Sequence, residues 1–299
     1  MKRLCALVAC LICFGLRAEV VQTDDTGKVL TLPRPAQRII SLAPHITELL
    51  FAAGAGGSVI AAVDYSNFPR AANSLPRIGS SVALDFERIA LLKPDLAIAW
   101  GSGNPPGQVA QLRRLGIPVF VNEPQQLADI PASLRRFGQL AGSLPVADEA
   151  AGIFEQRQAE LTKRYAGRRL VTAFYEIWNQ PLMTVGGPHL ISAAMAMCGG
   201  RNAFAALSQL AASVELEAVL RADPDVIIAS GMGEERPEWL DDWHRWKNMK
   251  AVRRGQLFFV PPDLLQRHSP RILDGVERMC EALDRARQST EPATNQAGK

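Results

Sequence analysis

The sequence predicts an α/β protein: two lobes with mostly parallel sheets, joined by a long helix. Three observations carry this. Short apolar segments alternate with helix-patterned ones along most of the chain, the rhythm of a parallel sheet covered on both faces. Residues 145–166 make a helical stretch longer than a sheet crossover needs. A unit of helix, turn and strand occurs twice, 130 positions apart.

Taken in order, Glu19 to Thr23, the turn Asp24-Asp25-Thr26-Gly27 and Lys28 to Leu32 read as a small hairpin. Arg38-Ile39-Ile40-Ser41-Leu42 is a buried strand. Pro44 opens a helix with Ile46, Leu49, Leu50 and Ala53 on one face, and Gly54 stops it. Ser58 to Val63, Asp95 to Trp100 and Ile117 to Val121 are further short apolar strands with helical spacers between them. Residues 19–144 are thus expected to form an N-terminal lobe. Pro145 suits the first turn of the long helix. Asp148 and Glu149 lie toward its positive end, and Lys163 and Arg164 toward its negative end. A flexible linker would be rich in Gly and Ser, so residues 145–166 read as a stiff connector. The alternation restarts at Arg169 to Tyr175. Residues 167–288 are expected to form the second lobe, and 289–299 a disordered tail.

The repeat is the most informative feature. Leu84-Asp85-Phe86-Glu87-Arg88-Ile89, then Pro94-Asp95-Leu96-Ala97-Ile98-Ala99 and Gly101, match Val214-Glu215-Leu216-Glu217-Ala218-Val219, Pro224-Asp225-Val226-Ile227-Ile228-Ala229 and Gly231. Pro-Asp before a strand is ordinary turn chemistry. The paired glutamates have two readings. Each complements its helix dipole, or the two lobes present Glu87 and Glu217 at equivalent places to a two-fold symmetric basic partner.

The 299 residues are 47% hydrophobic and 21% charged, which describes a folded chain and excludes a disordered or collagen-like one. Residues 1–18 have the form of a signal peptide: Lys2 and Arg3, an apolar run from Leu4 to Leu16, and Ala18 where cleavage is expected. Leu7-Val8-Ala9-Cys10 resembles a lipoprotein box but comes too early in the apolar run, so lipidation is not expected. Lys2, Arg3 and Arg17 leave with the leader, and the remaining charges balance at 30 of each sign. A neutral chain without a basic stripe is a poor nucleic-acid binder. Cys5, Cys10 and Cys13 also leave, so Cys198 and Cys280 remain, as one disulfide of an exported protein or as two buried thiols.

The candidates for chemistry are weak. Gly101-Ser102-Gly103 with Gly107 precedes a helix, and Glu123 ends the next strand, as in a dinucleotide fold. The glycine spacing is one residue too long, with three residues between Gly103 and Gly107, and Pro105 and Pro106 remove N–H donors, so a loop lining a cleft is the better reading. His45, His189, His244 and His268 form no metal motif; His45 and His268 can face a cleft but read first as solvated. Trp239, Trp243 and Trp246 fall at the spacing of a helix packed on its lobe. Tyr65, Trp100 and Trp178 follow strands or sit at their ends, where open α/β sheets bind ligands, and suit a large, flat, partly apolar one.

Several segments together resemble the periplasmic binding proteins of ABC importers for cobalamin, haem and ferric siderophores, and the cobalamin branch in particular. They are Arg38-Ile39-Ile40-Ser41-Leu42-Ala43-Pro44 with Thr47-Glu48, Leu84 to Ile89, Lys93 to Trp100, Cys198-Gly199-Gly200-Arg201-Asn202, Ser269-Pro270-Arg271-Ile272 and Cys280. The similarity runs from about residue 38 to 285. It implies two Rossmann-like lobes bridged by a rigid helix with the ligand between them. It implies Glu87 and Glu217 salt-bridged to arginines of two membrane subunits, and a Cys198–Cys280 disulfide. It also implies Tyr65 and Asp263-Leu264-Leu265-Gln266-Arg267 at the corrinoid, with Trp100 beside it; Asp263 and Arg267 would bond its amides. Ser81, Ala211 and Leu264 stand where relatives carry tryptophans, a loss that Trp178 would offset from the second lobe.

The leading expectation is a periplasmic, monomeric receptor that hands a corrinoid to an ABC importer. It is not an enzyme and needs no metal or resident cofactor, the cobalamin being cargo. A haem or ferric siderophore cargo, with His45 or His268 on the iron, is the same-fold alternative. An exported dinucleotide- or metal-dependent enzyme is the alternative from another class.

Overall fold

The computed structural model describes residues 19–231 and 233–289. The expected leader with Cys5, Cys10 and Cys13, and residues 290–299 of the expected tail, lie outside the described residues.

Two four-stranded parallel sheets form the two lobes among the described residues. The first runs in the order Val59–Ala62, Ile39–Ser41, Leu96–Trp100, Val119–Asn122. The second runs Gly200–Asn202, Val171–Glu176, Val226–Ala229, Leu257–Phe259. Their central strands are buried on both faces, which is why they read as unbroken apolar runs. Side chains alternate faces along each strand. Ile39, Ile98 and Phe120 on one sheet, with Val171, Ala173, Tyr175 and Ile228 on the other, join Ala147, Ala151, Phe154 and Leu161 of the long helix in one core spanning both lobes. Ile40, Ala97 and Val121 face a second core outside the first sheet; Phe174, Ile227 and Ala229 face a third outside the second.

The long helix, Leu144–Tyr165, covers 22 residues and about 33 Å. Its polar face is tied to each lobe. Arg135 of the helix Asp129–Ala141 donates to Asp148 at 3.0 Å and forks onto Glu155 at 2.6 and 3.0 Å. Arg157 and Arg164 reach Asp274 and Glu277 of the last helix, Ile272–Gln288. Asp148, read as a complement to the dipole, is therefore also the partner of a specific arginine. Gly138 lets the two helices close: a Cβ there would stand 2.4 Å from Cβ of Ala147.

The internal repeat is structural. The seven-residue helices Phe86–Leu92 and Leu216–Ala222 end at Lys93 (φ 48°) and Asp223 (φ 40°), both left-handed. Asp95 then accepts backbone N–H groups from Gln37 and Arg38, and Asp225 accepts one from Thr172. Each Pro-Asp thus clips its strand to the start of a neighbouring one.

Cys198 and Cys280 are joined by a disulfide across 82 residues, fastening the helix Leu190–Met197 to the last helix. The tryptophan stripe packs on its lobe as expected, with Trp239 and Trp243 at the third core, but not as an α-helix. Glu238–Arg245 is a 3-10 helix, which carries Trp243 into the core and leaves Trp246 at its exposed end. Among the described residues no helix is long and apolar enough to cross a membrane.

Candidate functional site

The C-terminal ends of both sheets open toward a cavity of about 340 Å³ between the lobes. Trp100 ends the strand Leu96–Trp100 and forms one wall. Two local features set its place. Asn104 accepts the Trp100 N–H at 2.6 Å and donates to the carbonyls of Leu42 and Ser81. Gly103 lies against the indole, where a Cβ would come within 1.8 Å of Cε3. The glycine-rich loop therefore serves the tryptophan. Beside it Glu123 accepts the Ser102 N–H at 2.6 Å and hydroxyl at 2.9 Å. The acid weighed as a ribose ligand is a wall of the cavity.

The second lobe contributes Ile177, Val185, Leu190, Leu210 and Ala211. Ala211, where relatives were expected to differ by a tryptophan, is part of this wall. His189 caps the helix Leu190–Met197: its Nδ1 accepts the Ile191 N–H at 3.0 Å, so a neutral His189 carries its proton on Nε2. His268 lines the cavity from the loop before the last helix, with its ring 5.9 Å from that of His189 and 5.8 Å from that of His45. His45 meets Trp100 edge-on at 5.1 Å. Burial lowers all three histidines, His189 and His268 to about 4 and His45 well below its ordinary value. His268 and Arg267 depress His45 further, as His189 does His268. Near neutral pH the group is uncharged. The reading of His45 and His268 as solvated is thus corrected: they are 3% and 7% exposed, enclosed where the lobes meet.

Below this group lies a charge network that joins the lobes. Glu48, on the buried face of the helix Pro44–Ala52, accepts Arg267 Nη1 at 2.9 Å, Arg271 Nη1 at 3.2 Å and the Ser269 hydroxyl at 2.6 Å. Arg267 also pairs with Asp263 at 2.8 Å, and donates to Asn67 Oδ1 at 2.7 Å and the Tyr65 carbonyl at 3.2 Å. Two guanidiniums face two carboxylates.

The sequence-predicted residues distribute unevenly. Trp100 and Gln266 line the cavity. Tyr65 stands outside it, 79% exposed on a left-handed backbone (φ 63°), with its carbonyl held by Arg267. Trp178 is turned away: its Nε1–H donates to the Gln180 carbonyl at 2.8 Å and its ring packs edge-on against Trp239. Asp263 and Arg267, expected to meet ligand amides, are bonded to each other, because burial requires each charge to be paired. Leu264 and Leu265 are buried in the shared core. Glu87 and Glu217 are both exposed, and none of the described hydrogen bonds or ion pairs engages either. Sequence reasoning named His189 only among the scattered histidines and Glu48 only within the family resemblance, and gave neither a role. The signal for Glu48 was an acid set among Ile46, Leu49 and Leu50 on an otherwise apolar helix; His189 had none. Among the described residues no cluster of His, Cys, Asp and Glu is arranged to hold a metal ion.

The hydroxyl of Ser102 is bonded to Glu123 in the wall of the cavity, and the arrangement can enclose an apolar ligand and offer it a few hydrogen bonds. Comparison with known proteins agrees. The chain is 36% identical over 259 residues to the vitamin B12-binding protein of Vibrio cholerae, covering 86% of this chain and 93% of that one. It is 34% identical over 256 residues to that of Yersinia pestis, covering 85% and 89%. The crystal structure of the periplasmic vitamin B12-binding protein of Vibrio cholerae superposes with a TM-score of 0.79 at 35% identity, covering 85% of this chain and 99% of that one. The periplasmic haem-binding protein of Roseiflexus shares the fold, with a TM-score of 0.74 at 24% identity, covering 84% and 99%. The model of the periplasmic binding protein family matches residues 39–264, and the chain belongs to that family.

Proposed function

We propose that this protein captures cobalamin or a related corrinoid between its lobes in the periplasm and delivers it to an inner-membrane ABC importer. The observation that carries the reading is the interlobe cavity, walled by Trp100, Ile177, Val185, Leu190 and Leu210, in a chain similar to vitamin B12-binding proteins over most of its length. No bond is made or broken in this role; the work is shape, apolar burial and a few hydrogen bonds. The corrinoid is cargo, and no resident cofactor is needed. The core shared by both lobes and the long helix favours small closure, so the ligand itself completes the interface. Glu87 and Glu217, exposed at equivalent places on matched helices, would dock on basic residues of two permease subunits, with the receptor acting as a monomer cut from its leader after about Ala18. Equilibrium titration with cyanocobalamin tests the reading: saturable one-to-one binding is expected, and absence of binding at micromolar concentrations would reject it.

One observation favours haem as an alternative cargo, namely the neutral imidazoles of His45 and His268 beside Trp100, with His189 next to His268. A Soret band on haem addition that vanishes in His268→Ala would establish it.

A further inference from the structure

The cavity is almost without charge. Of the residues lining it only Glu123 is a charged side chain, and it is an acid. The nearest bases are engaged: Arg267 by Glu48 and Asp263, and Arg271 by Glu48 and the ring of Phe68, 4.1 Å away. Arg201, in an adjoining groove, donates to the Thr172 hydroxyl at 2.9 Å. The other polar side chains of the lining are neutral: Trp100, Ser102, Gln125, His189, Gln266 and His268. Nε1–H of Trp100 is buried without a partner. His189, its Nδ1 held by Ile191, has only an N–H to offer. Gln266 adds a side-chain amide. Burial keeps His189 and His268 from supplying positive charge near neutral pH.

Such a surface treats two otherwise similar ligand edges very differently. A carbonyl oxygen of a primary amide accepts from these donors and leaves no charge behind. A carboxylate at the same place loses its water, finds no cation and meets the Glu123 carboxylate. The like-charge contact and the unpaired desolvated charge both oppose it.

We infer that the cavity selects uncharged, amide-edged macrocycles and rejects their carboxylate counterparts, with Trp100, His189 and Gln266 as the specificity-determining donors and Glu123 as the anion-excluding wall. The inference rests on the corrinoid reading and deepens it.

The test compares dicyanocobinamide with dicyanocobyrinic acid, in which every amide is a carboxylate, by isothermal titration at pH 7.5 in low and high salt. The amide corrinoid should bind at least about tenfold more tightly, and salt should narrow the ratio by screening the repulsion. Glu123→Gln should narrow the ratio at low salt by strengthening the acid relative to the amide. His189→Phe should narrow it from the other side, by weakening the amide. Binding of the two ligands within about threefold at both salt concentrations would overturn the inference and leave the corrinoid reading standing. Failure of both to bind would overturn that reading, and the inference with it.

Discussion

Glu176 ends the central strand Val171–Glu176 with its side chain 1% exposed, and burial raises its carboxyl from 4.5 to about 8, with Asp242 adding to the rise. The hydrogen bond from Trp243 Nε1–H to Oε2, 2.7 Å long, opposes this and does not prevail. The folded protein therefore keeps a proton that the unfolded chain releases above 4.5. A raised folded value places the full stability below the unfolded value, and that stability is lost as pH climbs from 4.5 to about 8. At 1.36 kcal/mol for each unit between the two values, the loss across the window is on the order of 5 kcal/mol. Glu176→Gln keeps an oxygen for Trp243 and never ionises. The variant and the parent should match near pH 4.5 and diverge steadily above it, the variant melting on the order of 10 °C higher by pH 8. Thermal unfolding followed by circular dichroism across this range gives the difference directly, since all other titrating groups are common to both proteins. Parallel curves would refute the reasoning and mean that Glu176 ionises in the folded state without penalty.

Replacing Cys198 and Cys280 together by Ser should lower stability by about 3–5 kcal/mol, measured by urea unfolding, because the bridge closes a loop of 82 residues. Glu48→Ala should cost about 3–5 kcal/mol, since it leaves Arg267 and Arg271 without the carboxylate they share, and a loss under 1 kcal/mol would remove the network from the account of lobe contact. Gly103→Ala should displace the Trp100 indole and weaken cyanocobalamin at least about tenfold in titration. The double variant Glu87→Ala with Glu217→Ala should stop uptake in a reconstituted importer and leave ligand affinity as it was; unchanged uptake would refute the docking role.

Much of the architecture was legible because it rests on local chemistry. Pro44, Pro145 and Gly54 mark helix ends through backbone geometry alone. The strands announce themselves as short apolar runs because a covered parallel sheet buries both faces. The repeat was visible since Pro-Asp and the glutamate occupy the same local frame in each lobe. The tryptophan stripe gave the packing face but not the helix type: Trp239 and Trp243 meet the second lobe's core, and Glu238–Arg245 is a 3-10 helix where the spacing fits an α-helix.

The site was only partly legible. Trp100 could be found from its strand end and Gln266 from the family resemblance, whereas Trp178, also at a strand end, rotated onto Trp239. Composition, periodicity and capping determined the class of fold, the two lobes' internal symmetry and the acids at their matched helices. Whether a polar residue faces a ligand or another residue depends on which segments meet across more than two hundred positions. Glu48 and Arg267 are 219 apart, and only folding brings them together. Tertiary structure alone paired Arg267 with Asp263 and Glu48 and brought His45, His189 and His268 into one group beside Trp100, because a buried charge must find its partner wherever the fold has placed it.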